Sequence, residues 1–429
     1  MGKIVDTAHD AIARVAQLGD RAHRIFTEFD PSRIIGLARE AETRVAASTS
    51  PLPLAGLLIS VKDLYDEAGI TTTAASRLLS DRPPATTDAE VITRIKRAGA
   101  VPFGRTTLSE FAYSGVGLNP HYGTPGNLFD ESRIPGGSTS GGALTVALNI
   151  VDAALGTDTG GSIRIPAAVN GLIGFKPSHD AVPTDGIHPL APSFDTAGPL
   201  ARDLATVVRI FEVIAGQSAP TGFPGPARKL RLVLPENAFT NDLHPSIQTE
   251  FDRLCDVLTS AGHALIPLDL GFLMEAAPLN RILVAAEALR IYGEDLEQLE
   301  KVGDPRVLKR LRYGETLSEA DVAQAYSRRD EVIAHFNRQM SGFDALVAPT
   351  LMIPAPTIAE AEADFDPINA MMLRNTGLLN LADACAISLP AAGQGKTPAA
   401  LMLGLPSGSD WQLLSVAHEV MSLLPPLRR

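Results

Sequence analysis

The sequence is poor in the residues that build covalent, metal or nucleic-acid-binding sites. Only two cysteines occur in 429 residues, which excludes a disulfide framework and a zinc site made of thiolates. The formal net charge is −12 and no block of Lys and Arg interrupts it, so we expect no unaided binding to nucleic acid or to an anionic membrane surface. The first residues contain no hydrophobic signal segment, and we expect a cytoplasmic protein.

Long hydrophobic runs and aromatic residues are also scarce. The apolar stretches 52–61 and 143–155 are too short or too interrupted by polar residues to span a bilayer. Aromatic residues make up 5% of the chain, which gives no sign of a large aromatic-lined site. Histidine and carboxylate clusters with metal-ligand spacing are absent, so we expect neither a metal nor an organic cofactor. With 45% hydrophobic and 20% charged residues, the chain has the composition of a globular protein with a large core.

The order of local signals along the first half predicts an α/β fold. Residues 1 to about 50 have the spacing of amphipathic helices, punctuated by Pro31. An unbroken apolar run at 56–61 predicts a buried strand. Thr87 and Glu90 have the spacing of a capping box ahead of a helix that Gly99 would end. A strand at 101–104 follows, and this alternation of strand and helix is typical of an α/β sheet.

The second half continues the same alternation after a linker-like segment at 216–228, which is rich in Gly and Pro. We expect that segment to be an exposed loop and the sheet to continue beyond it. The charged helical region 279–337 would cover one face of the sheet or form the wall of a pocket. The other predicted elements are strands at 230–234, 345–348, 386–389 and 400–405, a helix at 246–260 and a closing helix from residue 410.

Two Gly-Gly-Ser turns, 136–138 and 160–162, are the strongest chemical signal in the chain. Glycine weakens both helices and strands, so its doubling before each serine is not explained by secondary structure. Glycine instead leaves the backbone amides accessible, which a site for an oxyanion requires. Together with Lys62, the turns offer two hydroxyls and an amine for acyl transfer.

No signal in the sequence identifies a histidine as the base for such chemistry. The nine histidines are scattered and none lies in a catalytic motif, so a Ser-His-Asp triad has little support. Neither a nucleophile elbow nor a phosphate-binding loop is present. A lysine can replace histidine if burial lowers its pKa from about 10.4 towards neutrality. Lys62 ends an apolar strand and suits that role, although pairing with Asp63 or exposure to solvent fits the same sequence.

Several segments together resemble one known family. They are Val61-Lys62-Asp63, residues 135–142 and residues 156–167, with weaker matches at 97–100, 110–112, 119–120 and 174–177. This pattern resembles the amidase signature hydrolases, densely from about 50 to 200 and again near 380–390 and in the last helix. The resemblance implies an α/β fold with one large twisted mixed β-sheet that helices cover on both faces.

The same resemblance implies a single domain over residues 1–429. Its parts would be a helical layer at about 1–50, a catalytic Gly/Ser-rich core at about 51–215, the exposed loop 216–228, and a C-terminal part, 229–429, that completes the sheet and the substrate pocket.

The resemblance also implies a role for each matching residue. Ser162 would be the nucleophile, Ser138 a bridging serine that follows a cis peptide, and Lys62 the base of a Ser-Ser-Lys triad. The chain would then cleave a carbon–nitrogen amide bond of a small substrate through an acyl ester on serine, releasing ammonia or an amine and a carboxylic acid. Thr139 occupies a position where many relatives have serine, so a hydroxyl is kept.

Further matching residues would support the reaction. The backbone amides of the loop that ends in the nucleophile would form the oxyanion hole, and a glycine and an ion pair would brace the site. The oxyanion-hole residues are Thr159, Gly160, Gly161 and Ser162, and the supporting residues are Asp158, Arg164 and Gly137. Arg374 is a candidate for binding a substrate carboxylate, although a structural arginine fits the same position.

The substrate and the assembly are left open by the sequence. The segment 380–390 is similar to that of relatives acting on small urea-derived or malonamide-like amides. The glutaminase (A-type) subunit of a tRNA-dependent amidotransferase shares the same motifs, and its partner subunits would then be needed. A non-catalytic binding protein on the same fold and a nucleotide-binding protein are further alternatives. The family resemblance is compatible with a homodimer.

Overall fold

Eleven strands of the chain form one sheet in the computed structural model, which describes residues 2–225, 228–393 and 398–427. The strands are β1 (Phe26–Glu28), β2 (Leu58–Lys62), β3 (Val101–Thr106), β4 (Ala153–Asp158), β5 (Ile173–Lys176), β6 (Thr196–Ala201), β7 (Arg231–Glu236), β8 (Ala264–Asp269), β9 (Ala345–Pro349), β10 (Ala384–Ala391) and β11 (Ala399–Pro406). Across the sheet the order is β1-β3-β2-β4-β6-β5-β10-β11-β9-β7-β8.

The sheet is mixed and continuous across both halves of the chain. Strand β2 runs parallel to β3 and β4, and β7 runs parallel to β8 and β9. The remaining neighbours are antiparallel. The two halves join where β5 pairs with β10, with Phe175 opposite Ile387. The prediction of one mixed sheet that continues beyond the linker-like segment is therefore confirmed.

Helices account for most of the rest of the described residues. None of them, within those ranges, has the length and apolar character needed to cross a membrane. They are α1 (Lys3–Ala16), α2 (Ala22–Ile25), α3 (Pro31–Ala47), α4 (Glu90–Arg97), α5 (Ser140–Ala147), α6 (Arg164–Asn170), α7 (Leu204–Ala215), α8 (Pro245–Ser260), α9 (Gly271–Ala276), α10 (Pro278–Tyr292), α11 (Leu296–Val302), α12 (Pro305–Gly314), α13 (Glu319–Gln339), α14 (Ile358–Ala363), α15 (Phe365–Leu381) and α16 (Asp410–Leu423). Short 3₁₀ turns lie at Gly19–Arg21, Glu110–Ala112, His179–Ala181 and Gly293–Asp295.

Helices cover both faces of the sheet because successive side chains of a strand point to opposite sides. In β2, Leu58 packs in a cluster with Leu144 of α5. Ile59 and Val61 pack in a second cluster with Ile92 of α4. Both clusters are buried, so the two-sided helical cover expected for the fold is confirmed.

The capping-box prediction for α4 is wrong, although the helix itself is confirmed. The helix begins at Glu90 with Ala89 as its N-cap, and no side chain caps it. The backbone amides of Ala89 and Glu90 donate instead to the carbonyls of Asp66 and Asp185. Partners from distant loops thus satisfy the first turn, which makes the Thr87 side chain unnecessary.

The linker-like segment begins where α7 ends. Gly216 takes a left-handed conformation with φ 67° and caps the helix, and residues 216–225 are irregular and mostly exposed. Residues 226 and 227 of the predicted loop lie outside the described residues. The division of the chain into a single domain with these parts stays a prediction.

A buried ion pair fixes the end of β2 against β3. Arg105 donates from Nε and Nη2 to Asp63 Oδ1, at 3.0 and 2.7 Å. Both side chains are 1% exposed. Asp63 follows Lys62 directly, so this pair also restrains the strand end that carries the lysine. Removing one member of a buried pair leaves a charge that neither water nor protein compensates.

We expect Arg105→Ala to lower the free energy of unfolding by about 3–5 kcal/mol, because it leaves the Asp63 carboxylate buried without its charged partner. Urea denaturation followed by circular dichroism measures this loss. Arg328→Ala is the matched control, since Arg328 and Glu331 form an ion pair whose side chains are 55% and 62% exposed, and it should cost under about 1 kcal/mol. Equal losses in the two variants would contradict the assignment.

Candidate active site

Lys62 is the last residue of β2, and its side chain is completely buried. Alternation along the strand directs Ser60 and Lys62 towards α5, where Ser60 Oγ lies 2.7 Å from Thr145 Oγ1. Lys62 Nζ lies 2.8 Å from Ser138 Oγ and 2.8 Å from Thr157 Oγ1. The amine is therefore surrounded by hydroxyl groups and is closed off from solvent.

The electrostatics of this position favour an uncharged amine near neutral pH. Burial lowers the pKa of Lys62 to about 7, and the negative charges of Asp195 and Asp158 oppose that shift. No ion pair of Lys62 occurs in the described part of the chain, and the adjacent Asp63 pairs with Arg105. Of the interpretations that the sequence left open for Lys62, the structure therefore favours the buried amine.

Ser138 lies in the turn that precedes α5 and is also completely buried. It follows a cis peptide bond, Gly137–Ser138. Gly137 leaves no room for a side chain, since a Cβ there would lie 2.5 Å from the backbone nitrogen of Gly117. Gly137 N also donates to Gly115 O at 2.9 Å. This close approach of two backbone segments explains the glycine and fixes the turn that presents Ser138 to Lys62.

Ser162 lies between β4 and α6. Its carbonyl accepts a hydrogen bond from Thr139 N at 3.2 Å, which joins the two Gly-Gly-Ser turns. The side chain is 3% exposed and lines a cavity. Within the described ranges its Oγ makes no hydrogen bond, to Ser138 or to any other residue. The structure thus joins Lys62 to Ser138 directly, and it joins the Ser162 backbone to Thr139, the residue after Ser138.

In the loop from Thr159 to Ser162, two backbone carbonyls accept hydrogen bonds, whereas three backbone amides donate none within the described residues. Gly160 O accepts from Thr376 Oγ1 at 2.7 Å, and Gly161 O accepts from Ile165 N at 2.7 Å. The amides of Gly160, Gly161 and Ser162 donate to no group among the described residues. Gly161 has a φ of 137°, which residues with a side chain rarely adopt. Free amides beside an unengaged serine hydroxyl are the donors that an oxyanion needs.

Asp158 and Arg164 form a second buried ion pair, at the base of this loop. Arg164 donates from Nε to Oδ2 at 3.1 Å and from Nη2 to Oδ1 at 3.0 Å, and both side chains are fully buried. Burial alone would raise the pKa of Asp158, but Arg164 outweighs it, and the pKa falls to about 2. Asp158 Oδ2 also accepts from Ile163 N at 3.2 Å, so the pair braces the residue after Ser162.

Arg374 lies on α15 and lines the same cavity. Its nitrogens are engaged by the protein, because Nη1 donates to Asn241 O, Nη2 donates to Phe239 O and Nε donates to Asn375 Oδ1. These contacts fix α15 against the loop after β7. A role for Arg374 in binding substrate stays a prediction.

The cavity that exposes the serine has a volume of about 630 Å³, the size of a small-molecule site. One side is the loop with Thr159, Gly160 and Ser162. Most of the remaining lining comes from α10, α12 and α15, so the predicted charged helical region does form part of the wall of a pocket. Within the described residues no cluster of His, Cys, Asp or Glu side chains suits a metal ion.

Three residues of the site were not singled out from the sequence. Thr157 is the second hydroxyl at Lys62 Nζ, and its place inside the 156–167 motif was a usable signal. Asp195 accepts a hydrogen bond from Thr159 Oγ1 and from the amides of residues 190 and 191. Thr376 binds the Gly160 carbonyl. Asp195 and Thr376 are distant in sequence from the loop they hold, and no local pattern marks them.

Comparison with known proteins identifies the family of the chain. A family model described as Amidase matches residues 6–414. The chain belongs to the amidase signature family. It is therefore an enzyme that hydrolyses carbon–nitrogen amide bonds, and the lysine, the serines and the glycine loops described above lie within the matched range.

Known amidase signature proteins match almost the whole chain. It is 31% identical over 414 residues to the 2-amino-5-chloromuconic acid deaminase of Comamonas testosteroni, covering 93% of this chain and 88% of that protein. It is 32% identical over 453 residues to the A-type subunit of the glutamyl-tRNA(Gln) amidotransferase of Symbiobacterium thermophilum, covering 96% and 92%. A crystal structure of an amidase superposes with a TM-score of 0.89 at 29% identity, covering 99% and 96%.

We expect Gly161→Ala to lower kcat by about 10²–10³-fold, the loss that follows removal of one oxyanion donor. A Cβ at 161 would lie 2.1 Å from Thr376 Oγ1 at a positive φ, so the loop must shift. Gly160→Ala is the matched control, because its Cβ would meet only the Leu373 side chain, at 3.3 Å. We expect the kcat of Gly160→Ala for amide hydrolysis, measured at steady state, to be at least about tenfold higher than that of Gly161→Ala. Comparable activity in the two variants would contradict this role for the loop.

Proposed function

We propose that this amidase cleaves a small-molecule amide with Lys62, Ser138 and Ser162 acting in series. The observation that carries the proposal is the buried Lys62 amine, 2.8 Å from Ser138 Oγ, in a setting that lowers its pKa to about 7. An uncharged amine accepts a proton, and of the two serines it is Ser138 whose hydroxyl lies within hydrogen-bonding distance of the amine. Ser138 therefore has to relay the proton that leaves Ser162.

In the first step, Ser162 Oγ attacks the amide carbonyl carbon. Its proton passes to Ser138 Oγ while the Ser138 proton passes to Lys62 Nζ. The carbonyl oxygen becomes an oxyanion, and the amides of Gly160, Gly161 and Ser162 are free to bind it. The carbon–nitrogen bond then breaks, and the proton returns from Lys62 through Ser138 to the departing nitrogen.

In the second step, water replaces the amine. The same relay takes one proton from water as its oxygen attacks the ester on Ser162. Collapse of the second oxyanion breaks the carbon–oxygen bond and returns the proton to Ser162. The products are ammonia or an amine and a carboxylic acid. Asp158 and Arg164 act as positioning residues that hold the loop, and the scheme uses no metal.

A second candidate function is that of a glutaminase in a larger complex. The 32% identity to the A-type subunit of a glutamyl-tRNA(Gln) amidotransferase, over 96% of this chain, favours it. Under this proposal the chain would take ammonia from glutamine and work with partner subunits. Copurification of partners from the native host together with glutaminase activity would favour this candidate over a free-standing amidase.

Location, partners and assembly belong to the proposal as well. The two cysteines are both free thiols, which agrees with a reducing compartment such as the cytoplasm. The net charge of the chain is −12, which disfavours binding to nucleic acid, so the proposed partner is a small molecule. A single domain and a homodimer stay predictions.

We expect Ser162→Ala and Lys62→Ala to lower kcat/KM by about 10³-fold or more, and Ser138→Ala to lower it strongly, because each removes one member of the relay. Ammonia or amine release from a panel of small amides, ureido acids and glutamine measures the loss. A fluorophosphonate probe should label Ser162 in the wild type and not in Ser162→Ala. Wild-type turnover by Ser162→Ala would refute the assignment, and an unlabelled wild type would count against Ser162 as the nucleophile.

We expect kcat/KM to rise with pH through about 7, the pKa of Lys62. The sign follows from the mechanism, since only the deprotonated amine accepts the proton and its fraction grows as pH rises above the pKa. Asp195 raises the pKa of Lys62 through its charge, so Asp195→Asn should move the midpoint to lower pH. A profile of kcat/KM against pH for both proteins is the measurement. An unchanged midpoint in Asp195→Asn would argue against Lys62 as the titrating group.

A further inference from the structure

The cavity above Ser162 is lined by an excess of positive charge, in a chain whose net charge is −12. Four cationic side chains and one carboxylate contribute to its lining, mostly from α10, α12 and α15. Such a local excess inside an acidic protein attracts anions into the cavity. The cationic residues are Arg281, Lys309, Arg310 and Arg374, and the carboxylate is Asp366.

Two of these cations already have partners. Lys309 Nζ lies 2.5 Å from Asp366 Oδ2, in a pair whose side chains are 73% and 51% exposed. Arg374 donates to two backbone carbonyls and to Asn375, as described above. The single carboxylate of the cavity is thus paired with Lys309, and within the described residues neither Arg281 nor Arg310 forms a direct ion pair, although the charge of Asp366 acts on both.

Arg310 is a half-buried guanidinium with no acidic side chain of the described residues within ion-pair distance, although the charges of Asp366 and Asp304 act on it. Its Cζ lies 4.8 Å from the centre of the Phe365 ring and 5.4 Å from that of Tyr113, and Nη1 donates to the Tyr113 carbonyl. No acidic side chain of the described residues pairs with it. Arginine remains charged even when burial lowers its pKa. A desolvated charge of this kind is stabilised by an anion that binds beside it.

Arg281 is exposed at the mouth of the same cavity. Its Cζ lies 3.9 Å above the centre of the Tyr313 ring, so the guanidinium is held flat while its edge stays available. Burial raises the pKa of Tyr113 to about 12, and Arg310 and Arg281 both oppose that shift, so the two guanidinium groups act on the same region of the cavity. A planar guanidinium edge matches the two oxygens of a carboxylate.

We propose that the substrate is a small amide that also carries a free carboxylate, which pairs with Arg310 and Arg281 while the scissile carbonyl lies at Ser162. The inference rests on the proposed function and adds the substrate class. The rest of the wall includes apolar side chains such as Val284, Leu373 and Leu378. These surroundings suit a short carbon chain between the two polar ends and strengthen the attraction of the carboxylate by excluding water.

Monoamides of malonate and succinate, compared with the corresponding uncharged diamides, test this substrate class. The two members of each pair have nearly the same size and differ in charge. We expect kcat/KM to be at least about tenfold higher for the monoamide, and Arg310→Gln to lower that value by about 10- to 100-fold, because a charged hydrogen bond is lost. The diamide should change by less than about threefold. Arg310→Lys, which keeps the charge, should restore part of the preference.

Arg312→Gln is the matched control, since Arg312 is on the same helix, does not line the cavity and pairs with Glu300 at the surface. It should leave both substrates unaffected. Equal losses for monoamide and diamide in Arg310→Gln, or a preference for the diamide in the wild type, would overturn the inference while hydrolysis of the diamide would still uphold the proposed function.

Measurements of binding without turnover further distinguish the carboxylate site from the proposed function. In Ser162→Ala, isothermal titration calorimetry should detect succinate and not succinamide, and Arg310→Gln in the same background should abolish the succinate signal. Equal affinities for the two compounds would overturn the carboxylate site whatever the catalytic result. Failure of the fluorophosphonate probe to label the wild type would count against the nucleophile alone.

Discussion

The burial of one lysine amine among hydroxyl groups is the constraint on which the site depends. Lys62 has no carboxylate partner in the described part of the chain, and its nearest polar atoms are the hydroxyls of Ser138 and Thr157. A charged ammonium is costly there, so the fold stabilises the neutral form that can act as a base. The adjacent Asp63 pairs with Arg105, and both of those side chains are 1% exposed.

The glycine turns complete what the lysine requires. A Cβ at Gly137 would lie 2.5 Å from the backbone nitrogen of Gly117, so only glycine permits the approach that brings Ser138 to the end of β2. Gly161 permits the loop that leaves its amides free beside Ser162. Parallel pairing of β2 with β4 brings the base and the nucleophile loop to the same edge of the sheet. The sheet therefore brings Lys62 close to the nucleophile loop, and the glycines leave the backbone of the turns accessible.

Much of this arrangement is encoded locally and was predictable. The run that ends in Lys62 specifies a buried strand, and the two Gly-Gly-Ser turns stand out because glycine is disfavoured in regular structure. Asp195 and Thr376 were not predictable, because each holds the nucleophile loop from a distant segment. The Thr87 cap failed for the same reason, since backbone groups from remote loops satisfied α4. Patterns in sequence report periodicity, whereas these contacts depend on how segments far apart in the chain pack together.

The wall of the cavity and the machinery beneath it come from different stretches of the chain. The base and both serines lie between residues 58 and 170, whereas the facing helices α10, α12 and α15 lie between residues 278 and 381. Exchange of cavity-lining side chains on those helices can therefore alter which molecules are admitted, provided that Thr376 of α15, which binds the Gly160 carbonyl, is kept. This separation makes the chain a suitable starting point for evolving new selectivity, because variation can be confined to three helical surfaces.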